Sequence, residues 1–537
     1  EIIRGGGAVL YGEGAVGGVV NIITKSPGRA GAAGSVAFAG ASYDTRQFDA
    51  AYTQGRGPLA LHVTANSLVS DGYRDNNNLE QSSLHGDLRL TSPAQETYLK
   101  FGTDDQDLRL PSGRLVDPAT GADQMATDRR GTSTPNYYSN GTGAYVTMGV
   151  TLFRPEDSKV VLDLGYRGKN TQAFLGSFLD TDISTLSFTP RLRTRYHLNG
   201  APGTFTAGLD HYNSDYDSIR SSSEATAATP IHKIGIKQVS TALYGQNISD
   251  IGPGMHLTLG ARTQRVNTDT HDVFDPSAPG AAGDAGAPDG SHRESEDAYE
   301  AGLRHSLTDA VSWFARDGRS FRIATVDEIY STYPGTFTFL RPQTARTREA
   351  GLNYKAGGTD IRVAAYAMKL TDEIHYNPSI YANVNLDPTK RHGYEFTADQ
   401  RLGQDFSVRA NFAHIRAQFR EGTYAGKDVP LVPKHTASLA LLWQIQTGMQ
   451  LSTNINYVGS KRFDNDQGNT FQKIPDYQTV DVKLGAKYGT WTCQAAVNNL
   501  FNEKAFDYGI RSLASSVRYN AYPLPERNFA VSVKKDF

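Results

Sequence analysis

The stretch RNFAVSVKKDF, residues 527–537, alternates apolar and polar side chains. The apolar side chains fall on one face of an extended chain: Phe529, Val531, Val533 and Phe537. The polar ones fall on the other: Asn528, Ser532, Lys534 and Asp536. Lys535 breaks the pattern. Successive side chains of a β-strand point to opposite faces, so the stretch predicts a strand with an apolar and a polar face.

Many other segments repeat this alternation. In TWTCQAAVNNLF, residues 490–501, the side chains of Trp491, Cys493, Ala495 and Val497 share a face. In TLSFTPRLRTRYHL, residues 185–198, an apolar face alternates with a face that carries three arginines: Arg191, Arg193 and Arg195. Three arginines cannot face lipid or a dry core, so we expect that face to meet water.

The connections between these segments alternate in length. Short turns such as GRGP (55–58), SPAQE (92–96), KAGG (355–358) and KYGT (487–490) take every second position. Long connections take the others, among them 104–138, 170–183, 268–292, 319–345 and 503–526. Short turns at one end and long loops at the other are typical of a transmembrane antiparallel β-barrel, and the count predicts about 22 strands. A propeller would show a repeated motif, which this sequence lacks.

Aromatic side chains near the predicted strand ends suit the same fold. We expect an interfacial girdle on the outward face that includes Tyr457, Phe463, Tyr477 and Tyr488.

Composition excludes several other classes of protein. The 537 residues include 54 Lys and Arg against 56 Asp and Glu, a balance that gives no sign of a nucleic-acid partner. Mean hydropathy is −0.46, and the sequence contains no apolar run long enough for a membrane helix. The single cysteine, Cys493, excludes an intrachain disulfide.

The stretch LYGEGAVGGVVNIITKSPG, residues 10–28, carries the spacing G-x-G-x-x-G at Gly12, Gly14 and Gly17. A dinucleotide turn needs a helix that begins at the third glycine. Here a β-branched run, Val19 to Thr24, follows instead and favours a strand. We therefore interpret the glycines as residues that permit positive φ and tight backbone packing.

The two ends of the sequence resemble TonB-dependent outer-membrane receptors. The stretch IIRGGGAVLYGEGAVGGVVNIITK, residues 2–25, is similar to the end of that family's plug domain, although Gly6 and Gly7 stand where the family has Pro and a small residue. VNNLFNEKAFDYG and YPLPERNFAVSVKKDF look like its closing strands. The resemblance implies a plug end at residues 1–28, with most of the plug missing, and an outer-membrane barrel at 29–537.

The resemblance also implies a function, which is import of a scarce ligand through the outer membrane of a Gram-negative bacterium. A ferric siderophore is the first expected ligand, and cobalamin or another nutrient is the alternative. The implied partners are membrane lipid and the TonB energy-coupling complex, whose binding box is not in this sequence, and we expect a monomer. Two other hypotheses stay open: a passive pore, because the plug is short, and a soluble β scaffold for adhesion.

Motifs of catalysis are missing from the sequence. It contains no H-E-x-x-H, no G-x-S-x-G and no Walker-type phosphate loop, so we expect no enzyme, no cofactor and no catalytic residues. Asp104, Asp105 and Asp107 could offer oxygen ligands to calcium, but they lack the spacing of an EF-hand. We interpret them as a solvated loop start and predict no metal site.

Two long loops hold the candidate ligand contacts. Loop 319–345 contributes Tyr330, Tyr333, Phe337, Phe339 and Arg341. Loop 104–138 contributes Arg109, Arg114, Arg129, Arg130, Tyr137 and Tyr138. Arginine offers charge and planar donors to an anionic iron chelate, and tyrosine offers stacking area. The alternative is that these side chains pack the loops on each other or bind lipopolysaccharide phosphates.

Overall fold

A computed structural model describes residues 2–28, 31–155, 158–332, 335–377, 380 and 382–537, and these residues form a closed antiparallel barrel of 22 strands. We label the wall strands in chain order: β1 Gly31–Ala41, β2 Thr45–Arg56, β3 Leu59–Ser70, β4 Leu79–Thr91, β5 Gln95–Arg109, β6 Tyr138–Phe153, β7 Lys159–Phe174, β8 Phe178–Phe188 with Arg191–Leu198, β9 Ala201–Ser221, β10 His232–Gly252, β11 Met255–Phe274, β12 Gly290–Ser306, β13 Val311–Arg322, β14 Gln343–Ala356, β15 Thr359–Thr371, β16 Thr389–Leu402, β17 Phe406–Phe419, β18 His435–Gln446, β19 Met449–Val458, β20 Tyr477–Tyr488, β21 Trp491–Asn498 and β22 Asn528–Asp536. The predicted barrel and its strand number are confirmed.

The barrel closes where the first and last wall strands meet. Phe38 of β1 lies opposite Val533 of β22, and the pairing runs from Ser35 to Ala41. The two segments of β8 keep one register against β7 and β9, and they are separated at Thr189 and Pro190. Proline has no N–H for the ladder, which explains the interruption.

The two faces of the wall follow the predicted alternation. Phe529, Val531 and Val533 of β22 are exposed, and the register puts Val533 beside Cys493 of β21 on the same face. Ser532 lies on the other face beside Gln494 and Ala39. The apolar face is therefore the outward one, because the polar face surrounds the lumen.

Several wall strands are longer than the segments quoted from the sequence. β9 and β10 each span 21 residues. In their outer halves the faces are inverted: Tyr216 and Ile236 are buried on the inward side, whereas Asp217 and Lys237 are exposed on the outward side. The lower part of the wall carries apolar side chains on its outward face, and we call this zone the apolar band. The outer halves of β9 and β10 project above it, so their outward face meets water rather than lipid. Loops 104–138 and 319–345 accordingly start later than predicted.

Residues 2–28 contribute no strand to the wall. Ile2–Arg4 pairs with Gly18–Val20 in a separate two-stranded sheet, and between them lies a short helix, α1 (Ala8–Tyr11). Ala8 and Val9 are buried against Val266 of β11 and Ala298 of β12, both on the inward face. The segment therefore lies inside the barrel. The short helix was not predicted.

The glycines of this segment serve backbone geometry, in agreement with the sequence interpretation. Gly12 and Gly14 have φ values of +76° and +85°. A Cβ at Gly12 would lie 3.2 Å from the guanidinium of Arg262, a tight contact, and the positive φ would strain any other residue. No helix follows Gly17 within the described part of the segment.

The expected aromatic girdle is only partly correct. Tyr488 is exposed at the short-turn end, and the side chain of Tyr457 is on the outward face of β19. Phe463 is instead fully buried in an outer-loop cluster with Phe471 and Ile474. Tyr477 is on the inward face of β20, and its hydroxyl donates to Asp507, 3.1 Å away, in the last long loop. Both were misplaced because they face the loop interior, not the membrane interface.

The long connections carry the remaining small elements. Helices α2 (Gln124–Thr127) and α3 (Val326–Ile329) and the 3-10 turn Glu224–Thr226 lie here. So do ten short strands: Arg114–Asp117, Ala122–Asp123, Tyr330–Thr332, Gly335–Phe337, Ile374–Asn377, Ala382–Asn385, Lys461–Arg462, Lys473–Ile474, Phe506–Arg511 and Tyr519–Pro523. Among the described residues no helix has the length and apolar character that a membrane span needs.

Candidate ligand-binding mouth

The loop 104–138 is joined to the last long loop by a small sheet. Strand Tyr519–Pro523 pairs on one side with Phe506–Arg511 and on the other with Arg114–Asp117. Tyr519 lies opposite Val116 in this register. The loop is therefore fixed by backbone hydrogen bonds to a partner from the opposite end of the chain.

Three of the candidate arginines hold this loop together. Arg114 is almost fully buried and donates to Asp128. Arg129 donates to the carbonyl of Ala505. Arg130 donates from Nε to the carbonyl of Tyr73, 2.8 Å away. Because each guanidinium already has a protein acceptor, these contacts favour the loop-packing alternative for Arg114, Arg129 and Arg130.

Two further candidates lie on the outside of the wall. Arg109 pairs with Tyr138 across β5 and β6, and its guanidinium lies 5.4 Å from the centre of the tyrosine ring. The same face of β5 carries Phe101 lower down, which identifies it as the outward face. Tyr138 also donates to Glu224, 3.1 Å away. Tyr137 packs edge-on against Phe174 at 6.0 Å.

The loop 319–345 is packed around Tyr330. This side chain is buried with Tyr216, Ile234 and Ile236, and its ring lies 5.3 Å from that of Phe337. Burial raises the pKa of the Tyr330 hydroxyl, and the nearby Asp272 and Asp284 raise it further. Tyr330 is therefore buried in the core of the loop, which favours the loop-packing alternative for this residue.

The other candidates of this loop differ in accessibility. Phe339 stacks on His292 at 5.0 Å and is half-buried. Arg341 is exposed and makes a hydrogen-bonded ion pair with Asp372 at 2.6 Å. Tyr333 lies outside the described residues. Arg341 therefore offers this loop an accessible positive charge for a ligand.

Sequence reasoning missed a buried charged group beside Tyr330. Nδ1 of His232 lies 3.0 Å from Asp272, and Nε2 lies 3.1 Å from Asp284. All three side chains are almost completely buried. Both ring nitrogens of His232 therefore lie within hydrogen-bond distance of a carboxylate. The three residues are far apart in sequence, and no local pattern marks them.

This triad connects two loops at the mouth. Asp284 also accepts from the backbone N–H of Gly335, 3.2 Å away, and Asp272 accepts from that of Ala287 at 2.8 Å. The hairpin Tyr330–Thr332 with Gly335–Phe337 is thereby fixed to the loop that follows β11. The loop positions, and any ligand surface they form, depend on this ion cluster.

Below the mouth, the segment 2–28 is held by polar contacts with the wall. Glu13 accepts from Nε2 of Gln264 at 3.1 Å, and Arg262 forms a 2.7 Å ion pair with Asp210. Burial raises the pKa of Glu13, although the neighbouring Arg262 acts against this shift. Arg316 donates to the carbonyl of Gly6 and to Glu300.

A cavity of about 670 Å³ lies in the lumen beside this segment. Its inward lining is mixed in charge and includes Glu349, Arg391, Glu395, Asn411 and Asn456. The described residues contain no group of three or more His, Cys, Asp or Glu arranged to hold a metal ion. Asp104, Asp105 and Asp107 lie in strand β5, where Asp104 points to the opposite face from the other two.

The sequence matches a family model described as "TonB dependent receptor-like, beta-barrel" over residues 198–500. The chain belongs to this family. Among curated relatives of this TonB-dependent receptor barrel, the iron-regulated outer membrane virulence protein of Vibrio cholerae serotype O1 is 24% identical over 185 residues, 31% of this chain and 28% of the relative. The ferrioxamine receptor of Yersinia enterocolitica is 26% identical over 176 residues, 31% of this chain and 24% of that receptor. The matches thus span about a quarter of these relatives' lengths.

Solved structures share the fold of this receptor barrel over its whole length. The ferric yersiniabactin uptake receptor of Yersinia pestis superimposes with a TM-score of 0.82 at 18% identity, covering 100% of this chain and 84% of the other. The ferripyoverdine receptor of Pseudomonas aeruginosa, bound to ferripyoverdine, gives 0.81 at 16% identity, covering 100% and 76%. Identities this low establish the fold alone.

Proposed function

We propose that this barrel belongs to an outer-membrane receptor of a Gram-negative bacterium that imports a scarce ligand, most suitably a ferric siderophore, by TonB-dependent transport. The observation that carries the proposal is the segment 2–28 docked against the inward wall through Glu13, Gly6 and α1. A docked internal segment is what an energy-coupled importer has to move, whereas an open pore has no use for it. The siderophore and iron-chelate names of the relatives support the ligand class.

The same proposal assigns the parts of the chain. Residues 1–28 are the C-terminal end of a plug, and 29–537 are the barrel. The TonB complex acts on the receptor, and the barrel works as a monomer in lipid. Within the mouth, Arg341, Phe339 and Phe337 are the ligand contacts, and Arg114, Arg129, Arg130 and Tyr330 hold the loops that present them.

The test is uptake by the full-length gene product in a strain without its own iron-chelate receptors. We expect growth under iron limitation on one or more ferric siderophores, and we expect deletion of the host's TonB to abolish it. Growth on cobalamin, in a strain that needs it, would show that the ligand is cobalamin and not a siderophore. Growth that continues without TonB would contradict active import.

A passive pore is the second candidate, and the lumen cavity of about 670 Å³ favours it. Planar bilayers containing residues 1–537 would distinguish the two. Steady conductance that is unchanged when segment 2–28 is deleted would support a pore. Conductance that appears only after the deletion would support a docked plug end.

A further inference from the structure

Five basic side chains form a strip on the outward face of β14–β17. We call Arg346, Arg348, Lys369, Lys390 and Arg416 the basic strip. Arg346 lies opposite Lys369, which in turn lies opposite Lys390, so three cations occupy neighbouring strands in one row. Arg348 and Arg416 belong to the next row down, separated by Ala367 and His392. All five are exposed, and Ala350 and Leu352 continue their face downward into the apolar band.

The protein supplies too little negative charge for this strip. Asp317 accepts from both Arg346 and Arg348, at 3.1 and 2.8 Å, and so serves two arginines with one carboxylate. Among the described residues, no carboxylate lies within ion-pair distance of Lys369, Lys390 or Arg416. Like charges directly opposite each other on neighbouring strands, with Cβ atoms about 4.5–5.5 Å apart, destabilise a sheet. An external anion would relieve this repulsion.

An apolar groove of about 690 Å³ begins directly below the strip. Its outward lining consists mainly of small side chains: Ala301, Leu303, Ala315, Ala350, Ala365 and Ala367. Arg348 and Asp317 line its upper end. A cation at the top of an apolar groove complements a molecule with an anionic head and a hydrocarbon tail.

Other parts of the outward face differ in charge. The outward faces of β5, β8 and β9 carry several carboxylates: Asp105, Asp107, Asp182, Asp215 and Asp217. Outward cations also occur elsewhere, such as Lys233 and Lys237 of β10. The basic strip is distinguished by cations that lie directly opposite each other on three neighbouring strands.

We propose that the basic strip and the groove below it bind a phosphorylated, acylated glycolipid of the outer leaflet, of the lipid A type. Arg346, Lys369 and Lys390 hold a phosphate, and one acyl chain occupies the alanine-lined groove. This inference rests on the proposed outer-membrane location. The failure of this inference can be distinguished from failure of the proposed function. A barrel that fractionates with the outer membrane and transports its ligand, but retains no lipid A, contradicts the lipid A proposal alone.

The experiment compares two matched pairs of lysines in the complete chain. The protein in detergent micelles is titrated with diphosphorylated, hexa-acylated lipid A and followed by native mass spectrometry. We expect Lys369→Gln with Lys390→Gln to weaken binding roughly tenfold, because each basic residue near an anionic headgroup contributes to the affinity. The control is Lys233→Gln with Lys237→Gln, two exposed outward lysines of β10, for which we expect no change. An equal loss of lipid A binding in both double variants, or no loss in either, would overturn the proposal.

Further probes identify the source of the phosphate and test the groove. Phosphatidylglycerol binding as tightly as lipid A would mean general attraction of anionic lipid, and displacement of lipid A by millimolar inorganic phosphate would mean a phosphate site without a groove. Either result would overturn the proposal. Ala365→Phe fills the groove, and we expect it to weaken lipid A binding with the strip intact. Heat-modifiable electrophoretic mobility confirms that each variant is a folded barrel.

Discussion

His232 and Asp284 form a buried hydrogen-bonded pair between Nε2 and Oδ2 at 3.1 Å, although they lie 52 positions apart in the chain. The second ring nitrogen of His232 is bound to Asp272. Removal of the His232 side chain would deprive two buried carboxylates of a partner, and breaking a buried charged pair costs about 3–5 kcal/mol in other proteins. The triad thus fixes the loop 319–345 to the loop that follows β11.

We predict that His232→Ala loosens the outer loops while the barrel remains folded. Hydrogen exchange should accelerate in residues 275–289 and in the hairpin that contains Tyr330, because both lose their shared ion cluster. His271→Ala is the control, since His271 and its partner Asp289 are both exposed, and we expect it to change local stability by about 1 kcal/mol or less. Similar exchange in the two variants would show that the buried triad has no special role.

The faces of the wall can be tested on adjacent residues of β22. Val531→Arg places a charge on the lipid side and should destabilise the barrel by about 2–4 kcal/mol if the position lies near the bilayer midplane. Ser532→Arg points into the lumen and should be tolerated far better. Reversible unfolding in lipid measures both, and equal destabilisation would mean that the faces are assigned wrongly.

Arg341 separates ligand recognition from loop stability. Its side chain is exposed and bound to a single carboxylate, so Arg341→Ala should leave loop stability unchanged. We expect it to weaken binding of an anionic iron chelate about tenfold, which is the usual value of a hydrogen bond to a charged group. The measurement is a chelate titration of the full-length receptor, with the exposed Lys355→Ala at the short-turn end as control. Unchanged affinity would remove Arg341 from the ligand site.

Tyr330→Ala should show the opposite behaviour. The side chain is buried at 8% exposure, and loss of a large aromatic group from a core costs about 3–5 kcal/mol. Limited proteolysis should therefore cut the 319–345 loop faster, and ligand affinity should fall only as the loop opens. Lower affinity with an unchanged proteolysis rate would restore Tyr330 as a direct contact.

Docking of segment 2–28 should depend on pH through Glu13. Burial raises its pKa above the ordinary value of 4.5, so the folded state favours the protonated form. The contribution of Glu13 to stability is fully present below its pKa in the unfolded state. It is lost as the pH rises through its pKa in the folded state. We expect hydrogen exchange in residues 8–20, corrected for its intrinsic pH dependence, to increase over that range. Glu13→Gln should remove the effect, and an identical pH profile in the variant would contradict this assignment.

The wall was predictable because it obeys a local rule. Alternation along RNFAVSVKKDF places Val531 and Ser532 correctly, and the lengths of the connections give the strand number. The mouth was not predictable in the same way. Above the membrane the wall is apolar inside and charged outside, so Tyr216 and Asp217 reverse the pattern that holds lower down.

The loops depend on contacts between distant segments. Phe463 and Tyr330 look like surface aromatics in the sequence, but each is buried by loops that lie far from it along the chain. The arginines of loop 104–138 likewise have partners, such as the carbonyl of Ala505, that no local spacing reveals. Residue type identified a charged and aromatic mouth, whereas the division between scaffold and accessible surface required the tertiary structure.

The pairing of Tyr519 with Val116 has a kinetic consequence. The two strands belong to loops on opposite sides of the closing seam between β1 and β22, and 403 positions (519 − 116) separate these two residues in the sequence. The entropy of closing so large a loop must be met before this sheet can form. We therefore expect the sheet to be among the last structures to appear during assembly, so that protection of its amides would signal the moment at which the barrel has closed.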